Sequence, residues 1–222
     1  MSLVTVVCVL SLWLALAYGE LPRLWSKREH QRVRGRDHVV SYTSQDIPAD
    51  PINLRIVASE SSIRCAFVRD GWTQADRLSL RSSLGIVISV LLRRSYPAAP
   101  VSSLYFEDRL QDIAFEKDDG RTAQRRHHVR LWRVGPKQWM GAATFDRGVG
   151  LSLYTLQVTH HIGANVDDER DRVGVLLERS GGRYLGSQPS YLSPEKWHRN
   201  GGGDRYWTNG RIERYAIGAQ NC

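Results

Sequence analysis

From Ser2 to Tyr18 the chain carries no charge and is dominated by leucine, valine, alanine and Trp13. Extended to Leu24, this run approaches the ~20 residues a helix needs to cross a bilayer, and it predicts an N-terminal hydrophobic helix. Polar residues then dominate to Asp46-Ile47-Pro48-Ala49-Asp50-Pro51, two prolines close together, which reads as a linker and turn entering a domain. Apolar alternation over residues 51–58 predicts a strand. Ser59-Glu60-Ser61-Ser62 offers N-caps for a helix carrying Ile63, Ala66 and Phe67, closed by Gly71, with Trp72 packing back on the core. The most regular helical pattern is Leu80, Leu84, Val87, Ile88 and Leu91, ended by Tyr96-Pro97-Ala98-Ala99-Pro100.

The middle of the chain turns to period two. Ile113 and Phe115 share one face of a short strand. In residues 127–134, His127, Val129, Leu131 and Arg133 alternate with His128, Arg130 and Trp132. Gly135-Pro136-Lys137 turns this run into residues 138–145, giving an antiparallel hairpin that Asp146-Arg147-Gly148-Val149-Gly150 is expected to end. Residues 167–179 predict a last helix, capped by Asp167 or Asp168 and stopped by Gly181-Gly182, before strands at 183–186 and 211–217. Helices and strands do not alternate regularly. The expected class is therefore α+β: a mixed, largely antiparallel sheet with about three packed helices, preceded by the hydrophobic helix. The expected segments are a leader over 1–25, a basic linker over 26–47 and a domain over 48–218.

Charge refines the picture of the leader. Ala15-Leu16-Ala17 fits a signal-peptidase site, yet no Lys or Arg precedes the apolar run. Arg23, Lys27, Arg28, Arg32, Arg34 and Arg36 follow it instead, and positive charge beside a hydrophobic segment stays on the cytoplasmic side. The reading is an uncleaved single-pass anchor with a cytoplasmic domain; the alternative is cleavage and a secreted or periplasmic domain. The net charge is +8, which favours anionic partners such as lipid headgroups or phosphate-bearing ligands. The arginines are dispersed and no nucleic-acid-binding motif accompanies them, which argues against nucleic acid. Of the three cysteines, Cys8 lies in the leader, while Cys65 and Cys222 read as a core residue and a terminal thiol, with a disulfide between them as the other arrangement.

Four polar features are candidates for chemistry: Arg125-Arg126-His127-His128-Val129-Arg130, His160-His161, Asp146-Arg147-Gly148 and Arg199-Asn200-Gly201-Gly202-Gly203-Asp204. They define a candidate polar cleft lined by Arg81, Asp112, His128, Arg130, Asp146, Arg147, His160, His161, Asn200 and Asp204. Imidazoles and carboxylates could converge on a metal, but adjacent strand histidines face opposite sides, and no established metal or nucleotide motif is present. Hydrogen-bonded histidines are the simpler expectation, and the cofactor is left open. The Gly201–Gly203 run could cradle an anion with its N–H groups or be an ordinary loop needing positive φ. No GxSxG elbow supplies a hydrolase nucleophile.

Taken in order, Pro51-Ile52-Asn53, Leu80-Arg81-Ser82-Ser83-Leu84, Gln111-Asp112-Ile113-Ala114-Phe115, Arg126-His127-His128-Val129-Arg130, residues 141–150, Thr159-His160-His161 and Asn200-Gly201-Gly202-Gly203-Asp204 resemble the LssY C-terminal domain. The resemblance covers roughly residues 48–218. It implies a domain that in many relatives follows membrane-spanning segments, sometimes with DedA-like or type-2 phosphatidic-acid-phosphatase-like regions. This chain lacks a multi-pass phosphatase, so that activity does not follow. The resemblance implies an accessory or binding module in envelope or lipid-related processes; the rival is a hydrolase or metal-assisted phosphoryl-group enzyme using the His/Asp/Arg cleft.

Overall fold

A computed structural model describes residues 2–25, 27, 39–75, 102–120, 125–219 and 222. The helix expected around Leu80–Leu91, with Arg81, lies outside them. The apolar leader is helical: α1 spans Leu3–Ala15, with Ser2 accepting from the Thr5 N–H as its cap, and continues through a π-helical turn at Leu16–Glu20 to Trp25. This helix is long and apolar enough to cross a membrane, as a signal sequence near an N-terminus also is.

The domain is α+β. Its strands are β1 Val40–Thr43, β2 Pro48–Pro51, β3 Leu54–Val57, β4 Thr73–Gln74, β5 Leu104–Phe106, β6 Arg109–Leu110 and β7 Ile113–Asp118. They continue with β8 Arg126–Gly135, β9 Gln138–Leu151, β10 Val158–Ile162, β11 Arg183–Pro189, β12 Lys196–Arg199, β13 Arg205–Thr208 and β14 Arg211–Ala216. Two further helices are described, α2 Glu60–Arg69 and α3 Val166–Arg179. The main sheet runs β11-β14-β3-β9-β8-β7-β4, with β10 added to β9. Every pairing in it is antiparallel except β14 with β3. A second sheet, β2-β1-β5-β6, packs against it, and β12-β13 form a hairpin. β1 falls inside the stretch expected to be linker.

The central hairpin follows from its alternation. Val129 and Leu131 on β8 join Leu54, Ile56, Phe115, Trp139 and Ala143 in a core closed by Ile63 and Phe67 of α2 and by Val173 and Leu177 of α3. Trp132, from the opposite face of β8, packs with Ala142, Ile212, Ile52, Leu104 and Phe106, joining the two sheets. Trp72 packs its ring edge on Phe67 at 5.4 Å, as expected. Asn53 replaces a strand pairing where β3 begins: its amide donates to the Ala143 carbonyl at 3.0 Å and accepts from the Ala143 N–H at 2.9 Å.

Three expectations are corrected. Residues 146–150 do not end the strand: β9 runs to Leu151 because β10 takes up its edge beyond the region paired with β3. The cap of α3 is Asn165, accepting from the Asp167 N–H; Asp167 itself turns inward to Arg170 and Thr208. Cys65 and Cys222 are not a core residue and a free thiol but a disulfide, with Cα atoms 5.7 Å apart and a separation of 157 residues in sequence. It ties α2 to Cys222.

Candidate functional site

The predicted polar residues separate into two clusters along the second half of β9, with one outlier. The first is buried between the main sheet and β2. Asp146 ends the register of β9 with β8, facing Arg126 across the ladder. Its Oδ2 lies 3.0 Å from His128 Nε2 and 3.0 Å from His160 Nδ1, so β8 and β10 each bring one imidazole to the same oxygen. The His128 approach is close but not aligned as a hydrogen bond. Burial alone would raise the Asp146 carboxyl, but its interactions with the two histidines outweigh this and hold it well below the usual range.

Arg130, two residues on from His128 and therefore on the same face, donates to Asp50 Oδ2 at 2.6 Å. Both are buried. Burial, reinforced by the negative charge of Asp146, pushes the Asp50 carboxyl up despite Arg130. Glu116 of β7 stands opposite His128 of β8 and accepts from Arg126 at 2.9 Å; burial pushes it up as well. Among the described residues, His128 Nδ1, Arg130 Nε, Thr144 Oγ1, Glu116 Oε1 and Trp132 Nε1 are buried polar atoms without a hydrogen-bond partner. Each such atom costs about 1–3 kcal/mol, so this polar layer is maintained at an energetic cost.

The second cluster centres on Asp204. Its Oδ1 accepts from His161 Nδ1 at 2.8 Å and Arg147 Nη2 at 3.3 Å, and its Oδ2 from the Ile162 N–H at 3.1 Å. Arg147 also donates to the Ile162 carbonyl at 2.6 Å. Asn200 positions the acid, its side-chain oxygen accepting from the Asp204 N–H at 2.9 Å. The two β10 histidines thus serve different carboxylates because neighbouring strand residues point to opposite faces.

Asp112 belongs to neither cluster. It accepts from the Arg133 N–H at 2.7 Å and pairs with Arg109. Arg81 lies outside the described residues. His127 takes the helix side of the sheet, where its Nδ1 lies 2.8 Å from the buried Glu169 of α3.

The glycine-rich loop turns β12 into β13 and faces inward. The Gly201 N–H donates to the Pro48 carbonyl, the Gly203 N–H to Asn200, and Gly203 has φ +91°. A Cβ on Gly201 would come within 1.9 Å of Ile47 Cγ2 and 2.6 Å of the Pro48 carbonyl. These glycines therefore permit close packing and a tight turn; they do not present a row of free donors to an anion. Among the described residues, no group of three or more His, Cys, Asp or Glu is placed to hold a metal ion.

Asp50, Glu116 and Glu169 are buried polar partners that sequence reasoning passed over. Asp50 sits between two prolines and reads as a turn residue. Glu116 carried a usable signal, since it alternates with Phe115 and so falls on the face opposite the apolar core.

The family description "LssY C-terminus" matches residues 31–212. No curated protein and no solved structure matches the chain significantly.

Proposed function

The chain belongs to the LssY C-terminal domain family, and from that membership we propose that it is a membrane-held accessory or binding module of envelope or lipid-related processes. The observation that carries the reading is the exposed apolar helix, which continues unbroken from Leu3 to Trp25 and there stacks on the domain, Trp25 against Tyr154 at 4.1 Å. Such continuity supports a retained anchor, because the apolar segment extends an element docked on the domain. The half-exposed Arg147 and His160 beside Asp204 and Asp146 suit an anionic headgroup or phosphate as the bound chemistry.

The domain is placed on the oxidising side of the membrane in this reading. Disulfides persist in oxidising compartments and are rare in the cytosol, and Cys65–Cys222 supports that side. The basic residues from Arg23 to Arg36 weigh toward the cytoplasm. A structural disulfide must survive for the lifetime of the protein, and it supports the oxidising side against that bias.

Fractionation with rapid thiol trapping tests both parts. The expected outcome is an intact chain in carbonate-washed membranes, with Cys65 and Cys222 resistant to alkylation until reductant is added. A chain found only in the soluble fraction overturns the anchor. A membrane-bound chain whose two cysteines alkylate without reductant overturns the assigned side alone.

A further inference from the structure

The β9–β10 hairpin carries an apolar face that the domain does not cover. Val149, Leu151, Leu153, Leu156 and Val158 are each 40–69% exposed. Leu151 pairs with Val158 and Val149 with His160, so these four side chains share one face, and Leu153 and Leu156 lie in the turn beyond them. The opposite face carries Gly148 and Gly150, and a Cβ on Gly150 would sit 2.4 Å from His161 Nε2. The large apolar side chains are thus confined to one side and to the tip, while His161 occupies the other side. A contiguous exposed apolar face of this kind marks an interaction surface.

Position says what covers it. Tyr154, within the turn, stacks nearly parallel on Trp25, at 12°, and Trp25 lies at the end of the apolar stretch of the helix, just before Lys27. Tryptophan and tyrosine concentrate where a membrane meets water, so this pair sets the tip at the level where the helix leaves the bilayer. From Val149 to Ser152 the hairpin rises about 10 Å at ~3.4 Å per residue, comparable to the ~5–10 Å to which interfacial elements penetrate. Arg147 and His160 follow at its base, half exposed, where lipid phosphates would lie.

The tip is also braced from behind. The Leu153 N–H donates to the Gly202 carbonyl at 3.0 Å and the Ser152 hydroxyl to the Gly201 carbonyl at 3.3 Å. Gly203 admits Leu153 so closely that a Cβ there would lie 2.7 Å from it. The glycine-rich loop is therefore the backstop that holds the hairpin out.

We propose that the β9–β10 hairpin inserts its apolar tip into the interfacial zone of the bilayer spanned by the N-terminal helix, so that the domain is held at two points. The proposal rests on the membrane-held reading above.

Its test uses the full chain carrying Cys8→Ser, which removes the exposed free thiol, reconstituted in phosphatidylcholine–phosphatidylglycerol vesicles. An environment-sensitive fluorophore is placed in separate proteins at Leu10→Cys in the helix, Leu153→Cys at the tip and Lys137→Cys in the β8–β9 turn. Nitroxide lipids should quench the first two about twofold or more and leave the third unchanged, as burial ~5–10 Å into the lipid requires. Quenching at Leu10 alone overturns the hairpin insertion and leaves the anchor standing. Quenching at none of the three overturns both. A blue-shifted but unquenched label at Leu153 shows the tip covered by protein, a second copy or another partner, and also overturns the proposal.

Discussion

At the scale of single residues, the domain concentrates its unusual chemistry at Asp146, a buried carboxylate shared by two imidazoles from different strands. Replacing it by Asn keeps the volume but removes the charge that both rings face, and is expected to lower stability by about 1–3 kcal/mol in urea unfolding. Its pH dependence has a definite sign. The folded carboxyl lies below its ordinary value of 3.8, so its contribution is full above that value and is lost as pH falls toward the folded one. Asp50 and Glu116 are raised, so theirs is present at low pH and is lost as pH rises through their folded values. Unfolding measured between about pH 4 and 2 should show the Asp146→Asn variant losing less stability than wild type, by up to about 1.4 kcal/mol per pH unit. An equal slope in both proteins would remove Asp146 from the acid response.

At the scale of elements, the Gly201 turn is the sharpest test of the packing described. Gly201→Ala puts a methyl into Ile47 and the Pro48 backbone, and overpacking of this kind costs about 1–3 kcal/mol. An unchanged melting transition would show that the loop can move away. What the sequence revealed about elements followed the strength of their period. The β8–β9 hairpin was legible because ten residues of β8 alternate strictly enough to separate Val129 and Leu131 from Arg130 and Trp132. β10 was not, since Val158–Ile162 spends two of its five positions on histidine and has no apolar rhythm. β1, β2, β5 and β6 have two to four residues each, too few for any period, and two of the four residues of β2 are prolines that read as a turn. The candidate site was legible as a set of residues but not as a geometry. Which carboxylate each β10 histidine serves is set by a strand pairing that the sequence did not disclose.

At the scale of the whole molecule, the disulfide closes most of the domain into one loop, its cysteines 157 residues apart in sequence. Cys65→Ser is expected to lower stability by about 2–5 kcal/mol in non-reducing urea titrations, and reductant should bring the wild type to the same midpoint. A variant indistinguishable from wild type would mean that the cross-link adds nothing to the folded state. The same loop closure bears on when the domain can form. β3 is made early, yet its parallel neighbour β14 comprises Arg211–Ala216, and β14 in turn supplies the edge for β11. Until those residues leave the ribosome, β3 keeps one side of its backbone unpaired, a template for pairing with other chains. The apolar helix, by contrast, is synthesised before any of these strands. A nascent chain is thus tethered before it can complete its sheet, and messages truncated before codon 211 should yield aggregates at the membrane rather than a smaller stable domain.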